Sequence, residues 1–299
     1  MANLREIRNR INGVRSTSKI TQAMKMVAAA KLRRAQDAIV SARPYAYSLN
    51  DLVRHLLARV DRTTLPIMEQ REEIERVLVI VVTADRGLCG GFNTNIIRHA
   101  TQRINQVHGA LHAQGKVDLL CVGRRGANHF GKRGYSIAAK HIGLINDATH
   151  YEASAIMSGI VEQFLNGEYD LVEVVYNEFK SVIQQRVRSE QLLPLPAEVA
   201  EEQPGGHHYH QLVDYIYEPS EVELMEYLVP KHLNFQLYRV FMESNAAEQG
   251  ARMTAMDAAT TNARDLIGSL QLSYNRARQT KITTEILEIV SGANALKSD

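Results

Sequence analysis

Both ends of this chain read as long helices, with a strand-rich stretch between them, and that arrangement leaves few ways to fold. The first helix is expected from about Leu4 to about Leu57 and the last from about Glu221 to about Leu296. Helices that bracket a domain bury their apolar faces most economically against each other. At 1.5 Å per residue the last helix alone reaches on the order of 110 Å. A sphere of 299 residues would be far smaller. The sequence therefore predicts a rod with a globular foot, and a mechanical part before a catalyst.

The first segment repeats apolar residues at a spacing of three and four: Leu4, Ile7, Ile11 and Val14, then Ser18, Thr21 and Lys25, then Ala28, Leu32, Ala35, Ile39 and Ala42. This is a heptad seam with a polar middle. Ile20, Met24 and Val27 are expected to take over where the seam is polar, so that the buried face drifts around the helix. Pro44 should bend or interrupt it, and Pro230 should kink or delay the last helix. In that helix the seam is expected at Ser244, Ala247, Ala251, Thr254, Ala258 and Thr261, with bulk returning at Leu272, Ile282, Ile286 and Ile289. Gly268 is expected at a close helix crossing.

Between the ends, Arg76–Thr83 is a buried strand by its run of β-branched residues. Further strands are expected at Val117–Val122, Tyr135–Ala139, Leu171–Tyr176 and Ile183–Leu192, and helices at Thr94–Gln114, Gly123–Lys132 and Tyr151–Leu165. The alternation predicts a mostly parallel sheet covered on both faces. The fold class is thus α/β: an antiparallel coiled coil of the N- and C-terminal helices with an inserted Rossmann-like α/β domain. Its parts are residues 1–57 (N-terminal helix), 75–195 (α/β foot) and 211–299 (foot segment and C-terminal helix). Pro194–His210 reads as a loop.

The net charge is only +2, but residues 1–43 carry ten basic side chains against two acids, Glu6 and Asp37. A basic helix in a near-neutral chain suggests an acidic surface to meet. Nucleic acid is the rival partner, although no aromatic side chains are interleaved for stacking. The two cysteines, Cys89 and Cys121, have neither metal nor redox spacing and read as reduced thiols. No stretch reaches the roughly 18 apolar residues of a membrane span, and the start at Met1 lacks the apolar core of a signal peptide.

The glycines of Thr83-Ala84-Asp85-Arg86-Gly87-Leu88-Cys89-Gly90-Gly91-Phe92-Asn93 sit where a dinucleotide-binding loop would. Their spacing is not G-x-G-x-x-G, and no phosphate-binding G-x-x-x-x-G-K-[ST] occurs. A tight turn with Asn93 or Thr94 capping the next helix is the plainer reading. Cys89, beside Arg86 and a helix start, is either a reactive thiol or simply a small loop residue. His207, His208 and His210 cluster in a Gly-Pro loop with no cysteine nearby, so no metal is assigned. No cofactor is expected, and no nucleophile–base arrangement is supported by spacing.

Four stretches together resemble the gamma subunit family of F-type ATP synthase. They are Ile20-Thr21-Gln22-Ala23-Met24-Lys25-Met26-Val27-Ala28-Ala29-Ala30-Lys31, Asp85-Arg86-Gly87-Leu88-Cys89-Gly90-Gly91, Gln191-Leu192-Leu193-Pro194-Leu195-Pro196 and Ala251-Arg252-Met253-Thr254-Ala255-Met256. The tail from Tyr274 to Ala293 extends the match to essentially the whole chain, in order. The resemblance implies a central rotor stalk, itself non-catalytic. Its terminal helices would form a coiled coil inside a ring of three alpha and three beta subunits, and its α/β domain a foot with epsilon on the c-ring. It implies that Met24, Lys25, Cys89, Arg252, Gln279 and Thr283 face beta. Within Asp214–Pro219, it implies that Tyr217 and Glu218 face the c-ring and epsilon. It further implies a peripheral place at the cytoplasmic face of a bacterial inner membrane. The cysteine pair of chloroplast relatives is absent.

Overall fold

The computed structural model describes residues 4–57, 66–71, 73–182, 184–196, 217, 218 and 220–295. His207, His208 and His210 lie outside the described residues, as do Asp214–Ile216 and Pro219. In chain order the elements are helix α1 (Leu4–Leu57), a 3-10 turn (Pro66–Met68), strand β1 (Val77–Val82), α2 (Phe92–Val107), α3 (Gly109–Ala113), β2 (Val117–Val122), α4 (Arg124–Gly131), β3 (Ser136–His141), a 3-10 turn (Ile145–Asp147), α5 (His150–Leu165), β4 (Leu171–Phe179), β5 (Gln185–Leu193) and α6 (Glu221–Ala295). The chain divides into two compact units, Met1–Ala28 with Met253–Asp299, and Ala29–Arg252.

The larger unit is built on a five-stranded sheet of order β3-β2-β1-β4-β5. Strands β1 to β4 run parallel, and β5 pairs with β4 antiparallel. All six residues of β1 and of β2 are buried. An unbroken apolar run is what a strand needs when both faces of its sheet are covered. Val77, Val79 and Val81 pack with Phe92, Ile96, Ala100 and Ile104 of α2 and with Phe130 of α4. Leu78, Ile80 and Val82 face α5 (Met157, Ile160, Phe164), the end of α1 (Val53, Leu56) and the start of α6 (Met225, Val229, Leu233, Phe241). A capping box at Thr149 and Glu152 starts α5. The helix expected over Thr94–Gln114 is two helices, because the chain changes direction at His108.

Several buried charges of the larger unit are paired. Glu173, only 3% exposed, accepts from Arg103 Nη2 at 2.6 Å and lies 3.1 Å from His108 Nε2. Asp170 accepts from the backbone N–H groups of Glu75 and Arg76 and pairs with Arg71. Where α6 crosses β4 and β5, Arg239 donates to Glu190 at 2.7 Å and to Glu243 at 3.0 Å, and the Tyr176 hydroxyl donates to Glu190. Buried charges are tolerable only when partnered in this way.

In the smaller unit the α1 seam is continuous. Leu4, Ile7, Ile11, Val14, Ser18, Thr21, Lys25 and Ala28 are all buried or half-buried. The expected drift does not occur, since Ile20 is 60% and Val27 58% exposed. Supercoiling keeps a seven-residue repeat facing its partner even where the repeat is polar. Of the small-residue seam expected in α6, Ser244, Ala247 and Ala251 are buried, but Thr254, Ala258 and Thr261 are exposed. Met253, Met256, Thr260, Ala263, Ile267, Leu270, Tyr274 and Ala277 face inward instead. Beyond Ala251 the small residues pick the wrong phase, because the set that includes Met256, Ile267 and Leu270 gains more from burial. Nothing lies within 4 Å of where a Cβ at Gly268 would stand, so that glycine marks no close crossing. Pro44 and Pro230 both sit inside helices that continue past them. Each removes one helical hydrogen bond, and neighbouring buried side chains such as Leu49 and Val229 hold the helix across the gap.

Candidate functional site

The sheet order reverses beside β1, and ligands of open α/β sheets bind at such a switch, beyond the carboxyl ends of the strands. The loop after β1 borders that crevice, and the chain's own groups tie it to the start of α4 and to Gly143. Asp85 Oδ1 accepts from the backbone N–H of Arg124, the first residue of α4, and Oδ2 accepts from that of Gly143, both at 2.9 Å. The Thr83 hydroxyl accepts from the N–H of Gly126 at 2.8 Å, and the Ala84 carbonyl from that of Arg125 at 3.2 Å. The donors at the start of α4 that would hold a phosphate are therefore taken, one of them by a carboxylate. Asn93 does not cap α2. Its Oδ1 accepts from the Ala84 N–H at 2.9 Å, and Gly91 holds the cap position without a side-chain bond.

The loop that follows β1 is clamped from α6. Arg252 Nη1 donates to the Gly87 carbonyl at 2.6 Å and Nη2 to Glu248 at 2.5 Å. The side chains of Arg252 and Glu248 are 12% and 3% exposed. Burial pushes the Glu248 carboxyl up, with Arg252 opposing. Arg252 thus points into the fold and braces the loop. Cys89 is 2% exposed, with Asn93 Nδ2 donating to its Sγ at 3.1 Å. Burial raises its thiol, opposed by Arg252, and a raised, buried thiol is not the reactive kind. The loop presents Leu88, 67% exposed, and Arg86 outward. Sequence reasoning missed this, because nothing in the order of letters says which side of the loop faces in.

In the smaller unit, the Thr21 and Thr260 hydroxyls meet at 2.7 Å, and Lys25 Nζ donates to Asp257 at 2.6 Å. Paired positions add to 281 or 282, so the two segments run antiparallel in a fixed register. Lys25 already has an acidic partner within the chain, although both side chains stay about half-exposed, at 40% and 55%. Met24, beside it, is half-buried. That register brings Leu4 to position ~278 of α6, and the residues of α6 beyond have no counterpart among the described residues of α1. Gln279 and Thr283 lie in this stretch, exposed and one turn apart, with the Thr283 hydroxyl donating to the Gln279 carbonyl at 3.0 Å. The same stretch exposes Ile282, Ile286, Leu287, Ile289 and Val290.

Tyr217 is half-buried against the core of the larger unit, and Glu218 is exposed. Among the described residues no helix is long and apolar enough to cross a membrane. No group of three or more His, Cys, Asp or Glu among them is placed to hold a metal.

The ATP synthase family model matches residues 3–296. The ATP synthase gamma chain of Chlorobaculum tepidum is 52% identical over 297 residues, covering 99% of this chain and all of that one. The gamma chain of Chlorobium phaeobacteroides is 50% identical over the full length of both. Among solved structures, a chain of the Euglena gracilis mitochondrial ATP synthase (OSCP, F1 and c-ring) aligns with a TM-score of 0.67 at 19% identity, covering 98% of this chain and 94% of that one. One from the central stalk and c-ring of the Tetrahymena thermophila enzyme aligns with a TM-score of 0.61 at 24% identity, covering 80% and 99%. The structural likeness carries the fold; the identity across the whole length carries the kinship, and the chain belongs to the ATP synthase gamma chain family.

Proposed function

We propose that the chain is the central rotor stalk of an F-type ATP synthase. It turns inside a ring of three alpha and three beta subunits and couples proton flow through the c-ring to ATP synthesis or hydrolysis. It is not itself a catalyst; catalysis belongs to the beta subunits. One structural observation carries the mechanical part of this reading. The end of α6 beyond its pairing with α1 is a helix with five large aliphatic side chains facing outward. Water is a poor neighbour for such a surface, and an enclosing assembly removes it from water.

Contact with beta falls to Met24, Lys25, Arg252, the loop around Cys89, and Gln279 and Thr283. The inward turn of Arg252 and the burial of Cys89 make their contribution indirect, through the loop they hold. Tyr217 and Glu218 belong to the foot, towards epsilon and the c-ring. The assembly places the chain peripherally at the cytoplasmic face of a bacterial inner membrane. Coupling arises because the turning chain makes different contacts with each of three otherwise equal sites, and only differential contact shifts an equilibrium. The nucleic-acid alternative has no support in relatives that are ATP synthase gamma chains.

The test is hydrolysis of ATP by alpha and beta subunits of the same organism, with and without this chain, with the products sized. One copy bound to three of each and a large gain in turnover are expected. A chain that stays alone with hydrolysis unchanged overturns the proposal. In the membrane enzyme, Met24→Lys should lower ATP-driven proton pumping more than it lowers the melting temperature; unaltered pumping removes Met24 from the contact.

A further inference from the structure

Three consecutive seam positions of α1, Ser18, Thr21 and Lys25, carry no apolar side chain. The aliphatic residues at this level point away from the seam, Ile20 being 60% and Val27 58% exposed. The apolar packing that Leu4, Ile7, Ile11 and Val14 give further along is missing here, and two directional bonds stand in its place. The Thr21 and Thr260 hydroxyls, on residues 8% and 3% exposed, meet at 2.7 Å. Thr260 gives its one proton to the Met256 carbonyl of its own helix at 2.7 Å, so within the pair it accepts and Thr21 donates. The Ser18 carbonyl, at 3.1 Å, is the second acceptor in reach of the Thr21 proton. One turn away, Lys25 Nζ donates to Asp257 at 2.6 Å.

Stability alone does not call for two threonines in a buried seam. Replacing both partners of a buried hydrogen bond with apolar groups of the same shape is close to neutral or stabilising. What the polar pair supplies is position. An apolar seam tolerates small sliding movements, whereas a hydrogen bond has a fixed length and direction, and a lone polar layer in a coiled coil specifies register at a cost in stability. Met24 lies at this level on α1, whereas Gln279 and Thr283 lie on α6. The placement of the first relative to the other two therefore depends on how α1 is held against α6.

We propose that Thr21 and Thr260 are positioning residues that tie α1 to α6 at the level of Met24, so that a load borne by one helix is carried by both. The proposal rests on the stalk reading. The buried threonine pair is the main tie, and the half-exposed Lys25–Asp257 pair is the weaker one.

The experiment compares wild type with two double variants. Thr21→Val with Thr260→Val removes the bond and keeps the bulk; Thr21→Ser with Thr260→Ser keeps the hydroxyls and removes two buried methyl groups. Each full-length chain is melted alone, then assembled into the membrane enzyme and assayed for ATP hydrolysis and ATP-driven proton pumping. Nitroxide labels on Gln22→Cys and Thr261→Cys, both at exposed positions, report the spacing of the helices; the chain is labelled before assembly, and its native thiols are buried. The valine pair should melt at or above the wild-type temperature, retain hydrolysis, pump fewer protons per ATP and show a broadened distance distribution. The serine pair should melt lower yet pump as wild type does. A role in stability alone gives the opposite order, so pumping that follows melting temperature overturns the proposal. Wild-type pumping by the valine pair, or a distance distribution it leaves unchanged, overturns the tie while the stalk reading stands. A wild-type chain that neither assembles nor stimulates hydrolysis overturns the stalk reading and this proposal together.

Discussion

The guanidinium of Arg252, on α6, donates to the backbone carbonyl of Gly87 at 2.6 Å, joining residues 165 positions apart. It is the last residue of the larger unit before α6 continues as Met253 into the smaller one. Among the described residues, the same guanidinium is the one hydrogen-bond partner of the Glu248 carboxylate, whose second oxygen is buried with no partner among them.

Arg252→Ala should therefore destabilise the chain by about 3 kcal/mol, since it leaves a buried carboxylate without its counter-charge. The double variant Arg252→Met with Glu248→Met should cost less than that single change, because removing both partners leaves no charge behind. Urea unfolding of the wild type and the two variants measures this; a double variant less stable than the single one refutes the account.

Gly123 is the second fixed point. Its φ is +94°, and a Cβ there would overlap the Thr83 carbonyl oxygen, a backbone atom that cannot turn aside. Gly123→Ala should cost more than about 3 kcal/mol through strain and clash together. The expected outcome is a large loss of melting temperature. Gly115 makes the control, having positive φ but open space around its Cβ position, so that Gly115→Ala should cost only about 1 kcal/mol.

Acid should unfold the chain in two windows. Burial lowers the His232 imidazole to about 4, with Arg239 adding to the effect. The unfolded chain binds this proton below about 6.5 and the folded one does not, so stability falls as pH drops from 6.5 to 4. Burial pushes the Glu173 carboxyl up, but hydrogen bonds from His108 and Arg103 outweigh it and bring it down to about 2. Its folded pKa lies below the unfolded one, so this stability is complete above about 4.5 and is lost as pH falls to 2. At about 1.4 kcal/mol per unit, each window is worth about 3 kcal/mol. Denaturant midpoints measured against pH should show both; Glu173→Gln should flatten the lower one alone, and His232→Gln the upper one.

Ile286 and Ile289 are 55% and 70% exposed on the unpaired end of α6. Replacing either with Asp should change the stability of the isolated chain by no more than about 0.5 kcal/mol, as for other surface positions. Assembly with alpha and beta should nonetheless weaken, because a charge entering an apolar sleeve loses its water. Thermal melts and sizing of the mixture separate the two effects; equal assembly by the variants argues against enclosure of this stretch.

Much of the architecture was legible from letter patterns. Val77–Val82 and Val117–Val122 are unbroken β-branched and aliphatic runs, and a strand covered on both faces requires that composition. The α1 seam was legible because a seven-residue repeat is one-dimensional information. The α6 seam was legible only as far as Ala251, not along the stretch that pairs with α1. There, small and bulky residues both recur with the helical period, and only the partner's position decides which phase turns inward. Pro44 and Pro230 lie inside helices whose expected bounds already ran past them, and both helices are continuous there.

By itself the sequence determined the class of fold, the pairing of the terminal helices and the kinship, because each is written as periodic pattern or as ordered motifs along the chain. Only the tertiary structure decided which side chains of the matched motifs meet the outside. It turned Arg252 onto Gly87, buried Cys89, gave Lys25 to Asp257 and left Leu88 exposed. Those outcomes depend on which groups distant in sequence come within hydrogen-bond reach. A buried donor or acceptor must be satisfied by whatever the fold brings near it, and no local pattern records that choice.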